Sequence, residues 1–465
     1  MRLDLQGDTM KNLTQERITL LLLIGLVLFF TSNPFMTTTL SQQIEFIGHD
    51  DFVRAYSPHE AILLDGNDEM MILAEAEKWP GEGTEESPYM ITGYYFYDIT
   101  HSVEIRNIDL YWVFSDNEIN GPANSEVWCG MEISNSRNGL VTNNLIHNRF
   151  RGLWLIDIYD VVITNNIIED NLLHGIECVG FINKCVISDN TLRRNDGSGI
   201  RILTGVDSEI SGNHIIDNDG TGIQIMSTTI NCELADNEID SVTGLGIHLG
   251  PSTTVSIMHN EISNTSGDCV YVLESDNLEI FNNSLDDGGE DGIVVRKCRF
   301  DLIHNNTISG CDGNGIQIQS GGNSTFRFNH IEGCTGYGLK AASAAENMTI
   351  TRNVFINNGQ STQIFDDGKE NIFVYNYYDD WASPDDNSDQ IVDVPYTLDG
   401  ASENEDPFPL ATPNAIPPSP ETNNATTITT TDNGHIKLQL PLEVVGVGGV
   451  VVIVVVAVFF LKRRG

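Results

Sequence analysis

The chain has 465 residues, with 66 acidic and 24 basic side chains and a formal net charge of −42 at pH 7. A surface this acidic cannot neutralise a run of phosphates, which excludes nucleic acid as a partner, and it disfavours polyanionic glycans unless a cation bridges them. Eight cysteines in so long a chain do not make a disulfide framework.

The first element is Ile18 to Phe30, 13 apolar or small residues after Lys11 and Arg17. It is short for a membrane span and fits the apolar core of an export signal, so residues 1–40 read as a signal peptide or signal anchor. Residues 41–104 read as an N-terminal cap region. Within it, Asp68 to Lys78 offers an N-cap residue and the helix-forming run Ala74, Glu75, Ala76, Glu77 and Lys78, stopped by Trp79-Pro80-Gly81. A capping helix there would cover an open sheet edge.

From 105 to 381 the chain repeats. An asparagine recurs every 22–24 residues, at Asn144, Asn166, Asn190, Asn213, Asn237, Asn260, Asn283, Asn306, Asn329, Asn353 and Asn376. An apolar residue stands three positions before each and another two positions after. Nine residues after most of them comes Gly and an alternating strand, as in Gly175-Ile176-Glu177-Cys178 and Gly222-Ile223-Gln224-Ile225. A fixed period of this length with period-2 alternation, and no capped 3.6-period segment, predicts a solenoid of strands. The expected fold is all-β, a right-handed parallel β-helix, one coil per repeat, stacked about 4.8 Å apart into a rod of roughly 50 Å. The Asn row is expected to hydrogen-bond with its stacked copies at one bend. Cys178 falls at an inward position. Cys311 and Cys334 share a position in adjacent coils, within reach of a bridge although parallel stacking is awkward for disulfide geometry.

Three groups of residues are candidates for chemistry. The residue between the inward pair of each strand points outward, which predicts the row Trp154, Glu177, Arg201, Gln224, His248 and Tyr271. Rings for stacking and polar groups for hydrogen bonds along a flat face suit a sugar polymer. Asp196-Gly197-Ser198-Gly199 and Asp219-Gly220-Thr221-Gly222 repeat in adjacent coils, so the two carboxylates would stack roughly 5 Å apart, the separation of a retaining glycosidase pair; Asp-Gly is also ordinary turn chemistry. After the rod, in the acidic closing segment 382–410, Asp385, Asn387, Asp389, Ile391 and Asp393 have the alternation by which a Ca²⁺ loop aims oxygens inward, Ile391 through its carbonyl. Gln390 stands where such loops have Gly, and no Glu follows at the twelfth position.

Residues 411–437, rich in Pro, Thr and Asn, predict an extended stalk. Glycosylation sequons occur at Asn264, Asn282, Asn305, Asn323, Asn347 and Asn424. Residues 438–461 include Val444 to Leu461, 18 residues without a charge, followed by Lys462-Arg463-Arg464 in the short tail 462–465. This predicts a single transmembrane helix with a cytoplasmic end and an extracellular ectodomain.

The Asn-x-Ile and Gly-Ile repeat resembles the archaeal and bacterial surface β-helix proteins that include the NosD-type periplasmic proteins, which share the pectin-lyase-like fold. The flanks resemble the family too: His59-Glu60-Ala61-Ile62, Trp79-Pro80-Gly81-Glu82-Gly83-Thr84 and Pro88-Tyr89-Met90-Ile91 before the coils, and Asn376-Tyr377-Tyr378-Asp379-Asp380-Trp381 with Asp406-Pro407-Phe408-Pro409-Leu410 after them. The resemblance spans about 57–410 and implies the fold and an exported address, not an activity. NosD-type proteins are linked to copper-centre maturation, but His147, His174, His214, His248, His259, His304 and His330 do not share one register here; His214 and His330 match five coils apart. The Gly-His-Gly and Arg-x-Lys of polygalacturonase-like relatives are absent. The expectation is a membrane-anchored surface protein that binds extracellular glycans or surface proteins, or serves a structural or adhesive role. The alternatives are an exported polysaccharide lyase, epimerase or hydrolase using Asp196 and Asp219, and a metal-handling accessory protein.

Overall fold

The computed structural model describes residues 56–415 apart from 98–101, 122–128 and 360–361, together with the short strand pair Thr429–Thr430 and Ile436–Lys437. The signal or anchor segment 1–40 and the segments 438–461 and 462–465 lie outside the described residues. Among the described residues no helix is long and apolar enough to cross a membrane.

Every coil crosses three parallel sheets. The first sheet stacks 14 strands from Ser57–His59 to Tyr377–Tyr378, the second runs from Ile62–Asp65 to Ile364–Asp366, and the third from Tyr89–Thr92 to Ile372–Val374. Within one coil the chain passes from Ile176–Asn183 in the second sheet to Val186–Ser188 in the third and Thr191–Arg193 in the first. The parallel solenoid expected from the period is therefore present. Pairing is in register, so inward residues stack on their repeats: Ile200 on Ile176, Ile223 on Ile200, Ile247 on Ile223, Val270 on Ile247. All five are 0% exposed. Burying each such side chain contributes about 1.5–3 kcal/mol, which is what fixes the register. Cys178 is in this core, as expected.

The Asn row is a continuous hydrogen-bonded ladder. Each side-chain Nδ2 donates to Oδ1 of the Asn one coil on, at 2.9–3.2 Å. The same Oδ1 accepts the preceding Asn backbone N–H, and Nδ2 also donates to a carbonyl of the preceding coil, as Asn260 does to Leu234. These bonds satisfy backbone groups that the bend removes from the sheets. The ladder starts one coil earlier than the repeat pattern shows, at Asn117, whose Oδ1 accepts the Tyr94 N–H. At the far end Asp406 takes the place of the next Asn and accepts both the N–H and Nδ2 of Asn376 at 3.0 Å.

The solenoid itself begins before residue 105, because Ser57–His59, Ile62–Asp65, Tyr89–Thr92 and Tyr94–Tyr97 already belong to the three sheets. This first coil lacks a ladder Asn and is interrupted by helix α1 (Asn67–Glu77), so no repeat betrays it. Helix α1 lies one residue earlier than 68–78. Its N-cap is Gly66 rather than a side-chain cap, the Asp65 N–H instead bonds Glu69 Oε2 at 2.9 Å, and Lys78 closes it in the left-handed conformation. Met70 and Ala74 are its buried face. At the other end Tyr396 stacks on Tyr378 with centroids 3.8 Å apart, and Trp381 meets Tyr396 edge-on, closing the last coil.

Candidate functional site

The outward residues of the second sheet form the expected row. Trp154 pairs with Glu177, Glu177 with Arg201, Arg201 with Gln224, Gln224 with His248, and His248 with Tyr271. The row continues backward through Glu132 and Glu104 and forward through Val294, Gln317, Lys340 and Phe365.

Glu177 departs from the sequence reading. An outward strand position suggests solvent, yet this residue is 4% exposed. Arg201 Nη1 donates to its Oε1 at 2.6 Å, and Arg151 Nε donates to Oε2. His174 Nε2 lies 3.9 Å from Oε1. The Ser198 backbone N–H donates to His174 Nδ1 at 2.9 Å, so a neutral ring carries its proton on Nε2, facing Glu177. Burial, opposed by the pull of Glu177 and helped by the Arg201 and Arg151 guanidiniums, brings His174 down to about 4. The Arg151 guanidinium also lies over Phe150, 4.8 Å from the centroid, and over Trp154 at 5.5 Å.

A second cluster adjoins the first. Arg106 makes a two-pronged pair with Glu132, at 2.8 and 3.0 Å, and reaches Glu104 at 2.8 Å. Glu104 and Glu132 are 8% and 4% exposed. Three glutamates therefore face three arginines in this part of the sheet. Burial lowers His248, and its ring meets Tyr271 edge-on with centroids 5.5 Å apart. The face thus offers aromatic rings, an amide and fixed ion pairs, with each glutamate held as a charged acceptor by guanidinium donors. Arg106, Arg151, His174, Glu104 and Glu132 were not legible as site residues, because the pairs Arg106–Glu132, Arg151–Glu177 and Arg201–Glu177 join neighbouring coils and only the assembled sheet gathers the rest around them.

Asp196 and Asp219 sit in equivalent turns, their N–H groups bonded to Asn171 O and Asn195 O at 2.8 Å. Both are exposed, beside the row and not within it. In the loop 385–393 the side chains are turned onto loop backbone. Asp385 accepts from Asp389 and Gln390 N–H, Asn387 Oδ1 from Asp389 N–H, Asp389 from Ile391 N–H, and Asp393 from Asp386 N–H. Gln390 takes the left-handed conformation there, at φ 72°. Among the described residues no group of three or more His, Cys, Asp or Glu is placed to hold a metal ion. All eight cysteines are free and buried, so the Cys311–Cys334 bridge is not formed. Cys311 instead contacts both Cys334 and Cys269, the latter reaching it beside Gly288, where a Cβ would lie 2.9 Å from Cys269 Sγ.

Two family profiles match the chain: "Right handed beta helix region" over residues 226–380 and "Periplasmic copper-binding protein (NosD)" over residues 85–243. Among curated proteins no similar sequence was found. Among solved structures, the A-module of the mannuronan C-5 epimerase AlgE6 of Azotobacter vinelandii is 13% identical, with a TM-score of 0.48 over 67% of this chain and 96% of that one. The AlgE4 A-module of the same organism is 14% identical, with a TM-score of 0.47 over 60% and 95%. The catalytic unit of a thermostable GH87 alpha-1,3-glucanase from Streptomyces thermodiastaticus is 13% identical, with a TM-score of 0.36 over 67% of each. None of these likenesses bears on the chemistry of this chain. The two profiles and the three stacked parallel sheets fit a NosD-like, right-handed parallel β-helix repeat protein of the pectin-lyase-like kind.

Proposed function

We propose that the chain is an exported, membrane-anchored β-helix that binds carbohydrate along the second sheet, from Trp154 to Tyr271. The observation that supports this is the in-register row itself. Six outward side chains over five coil steps span about 24 Å of flat sheet, long enough to lie under several sugar rings. Trp154 and Tyr271 supply stacking surfaces, while Gln224 and the Glu177–Arg201 pair supply hydrogen bonds. Export is supported by the apolar segment Ile18 to Phe30, by Val444 to Leu461 with its basic flank, and by the periplasmic address in the name of the matched NosD profile.

The second reading is catalytic. Asp196 and Asp219 stand in equivalent exposed turns of neighbouring coils. Turnover that Asp219→Asn abolishes in a folded protein would establish it. The test of both is to incubate residues 41–435 with neutral and acidic polysaccharides, with and without calcium, and read retention and new chain ends in the same tubes. Retention without new ends is expected. New chain ends would replace binding with catalysis, and neither signal would sink the carbohydrate reading.

A further inference from the structure

All five N-glycosylation sequons of the described residues put their acceptor on an exposed corner of a coil: Asn264, Asn282, Asn305, Asn323 and Asn347. Each has a left-handed backbone, with φ between 51° and 59°. Placement on a corner is no argument by itself, because Asn is favoured wherever a coil turns through that conformation. The distribution along the rod is the argument.

Among the described residues fourteen Asn occupy left-handed positions. Seven precede residue 264, namely Asn107, Asn135, Asn138, Asn143, Asn148, Asn165 and Asn231, and none has Ser or Thr two residues on. Of the seven from Asn264 onward, five do. The corner geometry is the same in both halves, so the fold does not demand the hydroxyl. At the bend from the third sheet into the first, the second residue after an Asn corner is Leu145 or Ile167 in early coils and Ser284 or Thr307 in late ones, while the early hydroxyl of Thr191 follows an Asp corner, Asp189. The acceptors are also spread over all three bends of the coil. Asn264 follows a strand of the first sheet, Asn282 and Asn305 follow the third, and Asn323 and Asn347 follow the second.

We propose that these five residues carry N-linked glycans, so that the C-terminal half of the rod is sheathed on every side while the coils from Trp154 to His248 stay bare. The proposal rests on the export part of the functional reading and not on carbohydrate binding. An oligosaccharyltransferase on the outer side supplies the sugar from a lipid-phosphate-linked donor. The anomeric carbon–oxygen bond to phosphate breaks, the bond from that carbon to Asn Nδ2 forms, Nδ2 gives up one proton, and the lipid phosphate leaves with the bonding electrons. The product amide keeps one N–H, enough for the bonds Asn264 makes to Asp240 at 2.7 Å and Asn305 to His304 at 2.9 Å. A bulky, solvated glycan is tolerated at such exposed corners, and the bare stretch takes in the outward row from Trp154 to His248, with Tyr271 at the edge of the sheathed half.

The test uses the full chain from its own cells. Intact cells are treated with external protease to establish exposure, and peptides of the purified protein are read by mass spectrometry. Sugar additions are expected on peptides containing Asn264, Asn282, Asn305, Asn323 and Asn347, with Thr307→Val removing only the addition at Asn305. Unmodified peptides from a chain that external protease cuts would overturn the glycan proposal and leave export standing. Unmodified peptides from a protected chain would overturn both.

Discussion

Replacing Asn260 with Ala removes one rung from the middle of the ladder. Asn260 is 0% exposed. Its Oδ1 accepts the Asn237 N–H at 3.1 Å and Asn237 Nδ2 at 3.0 Å, and its Nδ2 donates to Leu234 O and Asn283 Oδ1, both at 2.9 Å. Alanine strands two buried donors of Asn237 and deprives one carbonyl of its donor, while Asn283 Oδ1 keeps the Asn260 N–H. At about 1–3 kcal/mol for each unsatisfied buried group, and allowing for partial relaxation, the loss comes to about 3–5 kcal/mol. Glu261→Ala, exposed on the next strand, is the control and should fall within about 0.5 kcal/mol of the parent. Urea titration of residues 41–435 gives the difference, and hydrogen exchange locates it. Because each coil touches mainly its neighbours, faster exchange should concentrate in the coils of Asn237 and Asn283. A loss below about 1 kcal/mol, or faster exchange spread evenly over the rod, would refute the view that the ladder holds the bend.

Asp268 gives a pH test. Burial first, then the charges of Asp291 and Glu290, push its carboxyl up to about 7 from 3.8. A raised acid holds its proton more tightly folded than unfolded, so its contribution is full below about pH 4 and is lost as pH rises through 7. Asp268→Asn keeps an acceptor for the Asp291 N–H and should add on the order of 2–4 kcal/mol at pH 8 and little at pH 4; equal melting shifts at both pH values would count against it. Gly222→Ala should cost about 2 kcal/mol or more in denaturant titration, since a Cβ there meets Ile239 Cγ2 at 2.5 Å and Gly246 O at 2.6 Å; a neutral result would mean the coils spread easily. The calcium reading of loop 385–393 predicts that calcium raises the melting temperature of chelator-treated protein, by about 2.7 kcal/mol of stability at a hundredfold excess over Kd. Asp389→Ala should remove that rise, and a melting temperature indifferent to calcium in the parent would dismiss the loop as a site.

The period made the rod legible. The Asn frame and the Gly-Ile alternation both recur at fixed spacing, and the same stacking that repeats the residues repeats their environment. Legibility failed where the repeat fails. Asn117 belongs to the ladder but stands 27 residues before Asn144, because the coil between them is longer, so the sequence marks the chain near Asn107 and Asn117 only as degenerate coils that lengthen the rod. Asp406 ends the ladder from a segment with no repeat, where a carboxylate supplies the acceptor that the next Asn would have given. The outward row was readable from alternation alone, yet the burial of Glu177 was not. Its partners Arg151 and His174 stand at other positions of the coil, and only the assembled face brings them against one carboxylate. Cys269 was overlooked beside Cys311 for the same reason: it occupies the position that other coils give to Gly and reaches Cys311 past Gly288, which has no side chain to block it.

The claim that the second sheet is the binding face is tested most directly by the affinity of Trp154→Ala and Tyr271→Ala for whichever polysaccharide the parent retains. Stacking on one ring contributes about 1 kcal/mol or more, so each variant should bind roughly five- to tenfold more weakly with its melting temperature nearly unchanged. Affinity equal to the parent in both folded variants would place the binding elsewhere and contradict the account.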